Sequence, residues 1–280
     1  MSTYNQLMHQ YQRIFRENLI PEETVRVFLF ELCSEYGVNM YLQLDEEVKP
    51  EIYERFVQGC RRLLNNEPLN YVLGYSWFYG YKLEVNDDVL IPRPETEELV
   101  ARVLSMYDEH FKGKEVRVCD VGTGSGAIAI ALKKEEPKME VYASDISEAA
   151  LKVAERNAAS NDCAITFLQG SMLEPYIEQG LRFDILVSNP PYIRADEDIE
   201  ASVKDFEPHV ALFGGSDGLK FYRDIFAKAQ EILLPESLLF FEMGYDQKDR
   251  LTALAKEYFP KREAIVYKDI NNKDRILMIC

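Results

Sequence analysis

The spacing of apolar residues divides the chain into a helical first part and a second part in which strands and helices alternate. Between Pro50 and Asn66, the apolar residues Ile52, Phe56, Cys60 and Leu64 recur at every fourth position, which places them on one face of a helix. Pro21 with the two glutamates after it predicts another helix start, and Gly37 suits the end of that helix. These features predict a small helical bundle over residues 1–70.

The next segment, residues 71–91, is rich in aromatic and apolar residues and predicts a β-hairpin that links two domains. Its turn is predicted at Asn86-Asp87-Asp88, with residues 89–91 as the returning strand. Directly afterwards, Pro92 and Pro94 fix the backbone and glutamates follow. Acidic residues are favoured at the positive end of the helix dipole, so a helix is expected to begin here.

From residue 92 to the end, apolar segments of strand length alternate with helical segments. Short connections between them predict a mostly parallel sheet with helices on both faces, which is an α/β fold. The last two strand segments predict an antiparallel hairpin. The predicted strands are 116–121, 140–143, 165–168, 184–187, 238–243, 265–267 and 276–279.

Composition narrows the classes of function. Of 280 residues, 32 are Lys or Arg and 48 are Asp or Glu, which gives a net charge of −16. This charge disfavours non-specific nucleic-acid binding and favours a basic protein partner. The cysteines form no CxxC and the three histidines have no ligand spacing, so neither disulfides nor a metal site is expected. No signal peptide or membrane-spanning run is evident, so we expect a cytoplasmic protein.

A glycine-rich turn, Gly122 to Gly126, directly follows the first strand of the predicted sheet. Glycines allow a ligand to approach the backbone, and the helix that follows presents free N–H groups. Asp145 ends the next strand roughly 20 residues later, where a carboxylate accepts hydrogen bonds from ribose hydroxyls. With Ala127, the same glycines match a dinucleotide fingerprint. The turn alone therefore leaves NAD, S-adenosylmethionine and a plain tight turn open.

The sequence FDILVSNPPY ends an apolar strand at Asn189, because two successive prolines cannot donate backbone N–H groups. An amide is thus left at the carboxyl edge of the sheet, where α/β folds bind ligands. Together with the nearby proline carbonyls, Asn189 suits a planar group that carries an NH₂, with Tyr192 against its flat face. Methyl transfer to nitrogen needs such a grip and hydride transfer does not. A rigid turn is the alternative.

Longer motifs add a family resemblance. DVGTGSGAIAI, SDIS and SNPPY, preceded by LIPRPETEELV and followed by FEMGYDQ, resemble the release factor glutamine methyltransferases from about Leu69 to the carboxyl end. The resemblance implies a class I, Rossmann-like fold with a seven-stranded, mostly parallel sheet. It implies a helical domain at 1–70 that docks on the release factor, the linking hairpin at 71–91 and a catalytic domain at 92–280.

The resemblance also implies an activity and roles for residues. A methyl group would pass from S-adenosylmethionine to the glutamine side-chain nitrogen in the Gly-Gly-Gln loop of peptide chain release factors. Asn189, Pro190 and Tyr192 would be catalytic and, with Pro191, would bind the substrate. Met172 would pack on the adenine, since the chain lacks the acidic residue that many methyltransferases carry there. The implied cofactor contacts are Gly122, Thr123, Gly124, Ser125, Gly126, Asp145, Met172 and Asn189.

Two other functions fit parts of this pattern. An amino-methyltransferase acting on adenine or guanine in DNA or ribosomal RNA shares the NPPY chemistry, but the charge and the absence of a Lys/Arg cluster beside the motif disfavour it. A nucleotide-binding scaffold would use only the glycine turn. A monomer without a stable nucleic-acid partner is expected. The sequence assigns no role to Arg93 or Glu242.

Overall fold

The computed structural model describes residues 2–280, which form two compact units. The first contains residues 2–75 and 200–206, and the second contains 76–199 and 207–280. Within the described residues, no helix combines the length and apolar character that crossing a membrane requires.

The helices are α1 (Tyr4–Glu17), α2 (Glu23–Glu35), α3 (Pro50–Leu64), α4 (Leu69–Leu73), α5 (Pro94–His110), α6 (Ala127–Glu135), α7 (Glu148–Ser160), α8 (Glu174–Glu178), α9 (Ala201–Phe206), α10 (Lys220–Lys228) and α11 (Lys248–Tyr258). The strands are β1 (Tyr75–Phe78), β2 (Tyr81–Glu84), β3 (Val116–Val121), β4 (Met139–Asp145), β5 (Thr166–Gln169), β6 (Phe183–Ser188), β7 (Leu233–Glu242), β8 (Ala264–Lys268) and β9 (Asp274–Ile279).

The first unit is helical around its own apolar core, as the sequence predicts. On α3, the predicted stripe is buried at Ile52, Phe56 and Cys60. Its last buried member is Leu63 rather than the predicted Leu64, because an α-helix turns once in 3.6 residues and a four-residue spacing drifts off the face. Phe56 stacks on Phe28 of α2 with ring centroids 5.5 Å apart, which joins two helices of the unit.

The hairpin is shorter than predicted and its turn lies elsewhere. β1 and β2 form a two-stranded sheet, and the residues between them, Tyr79 and Gly80, have positive φ values of 51° and 82°. That backbone matches the twist of paired strands. The predicted turn at Asn86-Asp87-Asp88 does form, since the Val89 N–H donates to the Asn86 carbonyl at 3.2 Å and the Asp88 N–H to Asn86 Oδ1 at 3.1 Å, but it does not join paired strands. Residues 89–91 form no strand.

The second unit contains a seven-stranded sheet in the order β5-β4-β3-β6-β7-β9-β8. β9 pairs antiparallel with both neighbours, whereas the pairs from β5 through β7 are parallel. This confirms the predicted α/β fold and its carboxyl-terminal hairpin. The strand order reverses at β3, which has β4 on one side and β6 on the other.

Both faces of the sheet are covered. Helices α5, α6 and α7 contribute to the apolar cluster on one face, and α8, α10 and α11 to the cluster on the other. Along β6, Ile185 and Val187 face the first cluster while Phe183 and Leu186 face the second. Burial on both faces explains why these central strands are apolar at successive positions.

Candidate active site

A cavity of about 310 Å³ lies at the carboxyl edge of this sheet. The loops after β3, β4, β5 and β6 line it, at the point where the strand order reverses. Open α/β sheets bind ligands at such a point. Residues from both predicted motifs are among its walls: Gly122, Thr123, Gly124, Ser125, Asp145, Met172, Asn189 and Pro191.

The glycine turn is held by the neighbouring strand. The N–H groups of Gly122 and Thr123 both donate to the carbonyl oxygen of Ser144 at 2.9 Å. Gly124 has a φ of +55°, and a Cβ added there would meet no atom within 4 Å. Gly126 instead caps α6, where an added Cβ would lie 3.2 Å from the Ala154 Cβ of α7. The first part of the turn is therefore open to a ligand, and its end serves helix packing.

Asp145 connects the glycine turn to the start of α7. Its Oδ2 accepts from the Gly124 N–H and its Oδ1 from the Ser147 N–H, both at 2.9 Å. Burial raises the pKa of Asp145, and these backbone bonds oppose that rise. Each carboxylate oxygen keeps further acceptor capacity, so Asp145 can still accept hydrogen bonds from two ligand hydroxyls.

Asp120 is a buried acid beneath the turn that the sequence analysis missed. Thr123 Oγ1 donates to its Oδ2 at 2.6 Å, while Oδ1 is buried without a hydrogen-bond partner among the described residues. Burial raises the pKa of Asp120 to about 7, and the charge of Asp145 adds to this effect. The available signal was an acid in the apolar strand just before the first glycine. A buried carboxyl group beneath the turn fits a cavity that receives a positively charged ligand group.

Asn157 is a second residue that the sequence analysis missed. Its Nδ2 donates to the carbonyls of Ser125 and Glu84, both at 2.9 Å, and its Oδ1 accepts from the Glu84 N–H at 2.6 Å. The side chain is buried. It therefore joins β2 to the glycine turn and supports the cavity wall from behind.

At the second motif, Asn189 belongs to a chain of side-chain hydrogen bonds. Its Nδ2 donates to Thr96 Oγ1 at 3.1 Å, and Thr96 Oγ1 donates to Glu242 Oε2 at 2.6 Å. The Tyr192 hydroxyl donates to Glu242 Oε1 at 3.2 Å. Glu242 is buried, and burial raises its pKa. Local sequence patterns assign no role to Glu242 or Thr96, yet both contact groups of the motif.

The other residues of the NPPY motif are more enclosed. Pro190 is buried, and Tyr192 packs against the apolar cluster formed with α8, α10 and α11. A Cβ added at Gly214 would lie only 2.5 Å from the Pro191 carbonyl oxygen, so backbone packs directly on backbone there. The cavity wall thus includes Asn189 and Pro191, and contact between Tyr192 and a substrate stays a prediction.

An ion pair joins two further segments of the wall. Arg93 Nη2 lies 2.6 Å from Glu207 Oε1, and the Ile91 N–H donates to Glu207 Oε2 at 3.2 Å. The Glu207 side chain is 1% exposed. Removing one partner of such a pair leaves a buried charge uncompensated and costs about 3–5 kcal/mol. Arg93, between its two prolines, therefore fixes the segment that leads into α5.

A sheet of this order, with a glycine turn and an NPPY motif at its switch point, defines a class I methyltransferase. A family model described as Methyltransferase small domain matches residues 100–206, and one described as PrmC N-terminal domain matches residues 6–74. The chain belongs to the release factor glutamine methyltransferase family, because relatives of that name are 36% and 41% identical over 94% and 85% of it. The resemblance seen in the motifs is confirmed, and it extends through the helical first unit.

The relatives cover nearly the whole chain. The release factor glutamine methyltransferase of Bacillus anthracis is 36% identical over 264 residues, which are 94% of this chain and 93% of that protein. That of Bacillus subtilis is 41% identical over 242 residues, or 85% and 84%. A methyltransferase from Pyrococcus furiosus has a similar fold, with a TM-score of 0.50, 19% identity and coverage of 78% and 95%. Family membership does not favour the alternative of a nucleic-acid amino-methyltransferase.

Proposed function

We propose that this enzyme methylates the side-chain amide nitrogen of the glutamine in the Gly-Gly-Gln loop of peptide chain release factors, with S-adenosylmethionine as donor. One observation carries the proposal. The glycine turn after β3 and Asn189 after β6 line the same cavity, and these two strands are neighbours in the sheet. A donor held at the turn and an amide held at Asn189 would therefore meet directly.

The cofactor half of the site supports this proposal through its donor and acceptor groups. The Asp145 carboxylate would accept from the ribose hydroxyls, and the residues from Gly122 to Ser125 would contact the methionine part. The carboxyl group of Asp120 lies beneath them and would favour positive charge above it. Met172, in the cavity wall, would pack on the adenine. When bound, S-adenosylmethionine supplies a methyl group that its sulfonium activates toward a nucleophile.

The substrate half supports amide binding. A carboxamide nitrogen is a poor nucleophile because its lone pair is delocalised. Asn189 Nδ2 is engaged by Thr96, which leaves Asn189 Oδ1 to accept one amide hydrogen while the Pro190 carbonyl accepts the other. Fixing both reactants in this way can lower the barrier by about 7–11 kcal/mol. One neutral hydrogen bond contributes only about 0.5–1.5 kcal/mol, so alignment is the larger effect.

The first unit would dock on the release factor. It has exposed apolar side chains at Phe30, Tyr41 and Leu42, of which Leu42 is 82% exposed. The rings of Phe30 and Tyr41 contact each other with centroids 5.6 Å apart, so they form a small preformed apolar surface. The net charge of −16 favours a basic partner. The enzyme would act as a cytoplasmic monomer without a stable nucleic-acid partner.

The test uses labelled S-adenosylmethionine with the full-length enzyme. A release factor, the same factor with its Gly-Gly-Gln glutamine changed to alanine, a DNA duplex and ribosomal RNA are incubated separately. We expect label only in the unmodified release factor, and peptide mass analysis should find the added methyl on that glutamine. Label in nucleic acid, or equal label in the alanine-substituted factor, would overturn the proposal.

A further inference from the structure

Thr96 and Glu242 form a chain of side-chain hydrogen bonds that ends on Asn189, here called the relay. All three residues are far apart in sequence. Thr96 lies in the first turn of α5, which Pro94 begins, and its backbone N–H donates to the Arg93 carbonyl. Glu242 is the last residue of β7. The two side chains meet with Thr96 Oγ1 2.6 Å from Glu242 Oε2, and both residues are buried. Burying a carboxylate is costly unless it is hydrogen-bonded, and Glu242 accepts hydrogen bonds from both Thr96 and Tyr192.

The direction of each bond follows from proton count. The hydroxyls of Thr96 and Tyr192 both donate to Glu242, which is the arrangement that an ionised carboxylate, an acceptor only, requires. Burial opposes the ionised form, and the two hydroxyl hydrogen bonds with the charge of Arg275 favour it. Thr96 has one hydroxyl proton, and that proton is used on Glu242. Toward Asn189, the Thr96 oxygen can therefore only accept, and it accepts from Nδ2 at 3.1 Å.

This direction decides which end of the Asn189 amide faces the substrate. A side-chain amide has an accepting end and a donating end, and a half turn exchanges them. With Nδ2 bound to Thr96, Oδ1 is the end left for a ligand. If Asn189 were flipped, Oδ1 would face a Thr96 oxygen that has no proton to give.

We propose that Thr96 and Glu242 are positioning residues that lock the Asn189 amide with its oxygen toward the substrate, and that this lock selects glutamine over glutamate. The inference rests on the proposed function, because the amide of the glutamine is the group that the lock would receive. An –NH₂ group donates to Asn189 Oδ1, whereas the carboxylate of a glutamate would meet an acceptor there and be repelled. Glu242 holds Tyr192 by its other oxygen, so one residue orders two parts of the motif.

The first experiment compares Thr96→Val with wild type on a release factor. Valine keeps the shape and removes the hydroxyl, so the amide of Asn189 becomes free to flip. We expect kcat to fall roughly 10- to 100-fold, with the Kd for S-adenosylmethionine nearly unchanged. Thr96→Ser restores a hydroxyl and should recover most of the lost turnover. Thr252→Val is the matched control, since Thr252 Oγ1 on α11 is buried without a hydrogen-bond partner in the part of the chain that the structure describes, and it should leave kcat unchanged.

The second experiment measures selectivity by binding rather than turnover. The release factor and its glutamine-to-glutamate variant compete for the enzyme, and wild type should prefer the glutamine form. Thr96→Val and Glu242→Gln should both reduce the preference for glutamine over glutamate. In either variant the Asn189 amide is no longer held in one orientation, so it can turn and donate from its NH₂ to a carboxylate. If Thr96 or Glu242 had only a structural role, its variant would weaken the binding of the glutamine form and the glutamate form equally.

The outcomes separate the relay from the proposed function. If wild type does not methylate the release factor, the proposed function fails. If wild type is active but Thr96→Val and Glu242→Gln keep normal kcat and the normal glutamine preference, only the relay is overturned. Should Thr96→Val fail to fold, Glu242→Gln is compared with wild type instead, and a normal kcat with the normal glutamine preference in Glu242→Gln would overturn the relay.

Discussion

The Gly124 N–H donates a 2.9 Å hydrogen bond to Asp145 Oδ2, so the turn after β3 is tied to the last residue of β4. Asp145 would therefore have two functions, because the carboxylate proposed to bind the ribose also holds the glycine turn. The geometry of the proposed cofactor site and its affinity for the cofactor would then be linked through one side chain.

Replacing Asp145 by alanine should mainly weaken cofactor binding. The variant loses the acceptor for the ribose hydroxyls and the bond to Gly124, and bonds to a charged group contribute about 1.5–3 kcal/mol each. We expect the Kd for S-adenosylmethionine, measured by isothermal titration calorimetry, to rise roughly 10- to 100-fold. Glu155→Ala, an exposed acid on α7, is the control. An unchanged Kd in Asp145→Ala would remove this residue from the cofactor site.

Replacing Asn189 by alanine should mainly reduce turnover and should leave cofactor binding nearly unchanged. The variant loses the acceptor that holds the substrate amide, so kcat on the release factor should fall roughly 100-fold or more. Cofactor affinity, measured by the same calorimetry, should stay close to that of wild type. Near-normal methyl transfer by Asn189→Ala would show that the amide is held in another way.

Two glycines of one turn should respond differently to alanine. Both have positive φ, which costs an L-residue roughly 1–2 kcal/mol. At Gly126 the new Cβ would also press on Ala154 at 3.2 Å, whereas at Gly124 it would meet open space. In urea unfolding, Gly126→Ala should lose more stability than Gly124→Ala, while Gly124→Ala should lose more cofactor affinity. The reverse order in either measurement would contradict this assignment.

The folding stability should depend on pH through Asp120. Burial raises its pKa from 3.8 to about 7, so the folded state binds the proton more tightly than the unfolded state. The contribution of Asp120 to the free energy of unfolding is complete below about pH 4. It is lost as the pH rises through about 7, a change of about 4 kcal/mol. Asp120→Asn cannot titrate, so its free energy of unfolding should vary less across this window in urea titrations without cofactor. Parallel pH profiles for the two proteins would refute this.

Exposed apolar residues of the first unit should affect the protein substrate alone. The double variant Phe30→Ser, Leu42→Ser should raise KM for the full release factor roughly tenfold, because burial of a large apolar side chain contributes about 1.5–3 kcal/mol. Activity on a short Gly-Gly-Gln peptide should not change. Ile270→Ser, at a residue of the second unit that is 89% exposed, is the matched control. Equal effects on protein and peptide would argue against docking.

The elements that the sequence predicted well are those whose ends are marked by glycine or proline. β3 stops at glycines and β6 at two prolines, so both strand ends were fixed by residues that cannot continue the strand. The shared edge then followed from parallel pairing. By contrast, the hairpin turn was misplaced because Gly80 alone signals it, while its other residue, Tyr79, is a type uncommon at positive φ.

The residues that the sequence could not assign act through distant partners. Thr96 and Glu242 are 146 positions apart, and neither has a local pattern that indicates the other. Asp120 reads as one polar position within an apolar strand, and its unpartnered oxygen is visible only in three dimensions. Local spacing in the sequence therefore cannot predict side-chain roles that depend on contacts between distant residues.

The close approach of Gly214 to the Pro191 carbonyl has a consequence for redesign. Main chain rests against main chain there, so exchanging nearby side chains leaves this wall of the pocket where it is. Moving the Pro191 carbonyl would require a change in the main chain at Gly214 itself. The place of this part of the wall is in this sense a property of the backbone, and directed evolution by point substitution of the surrounding side chains should find it hard to shift.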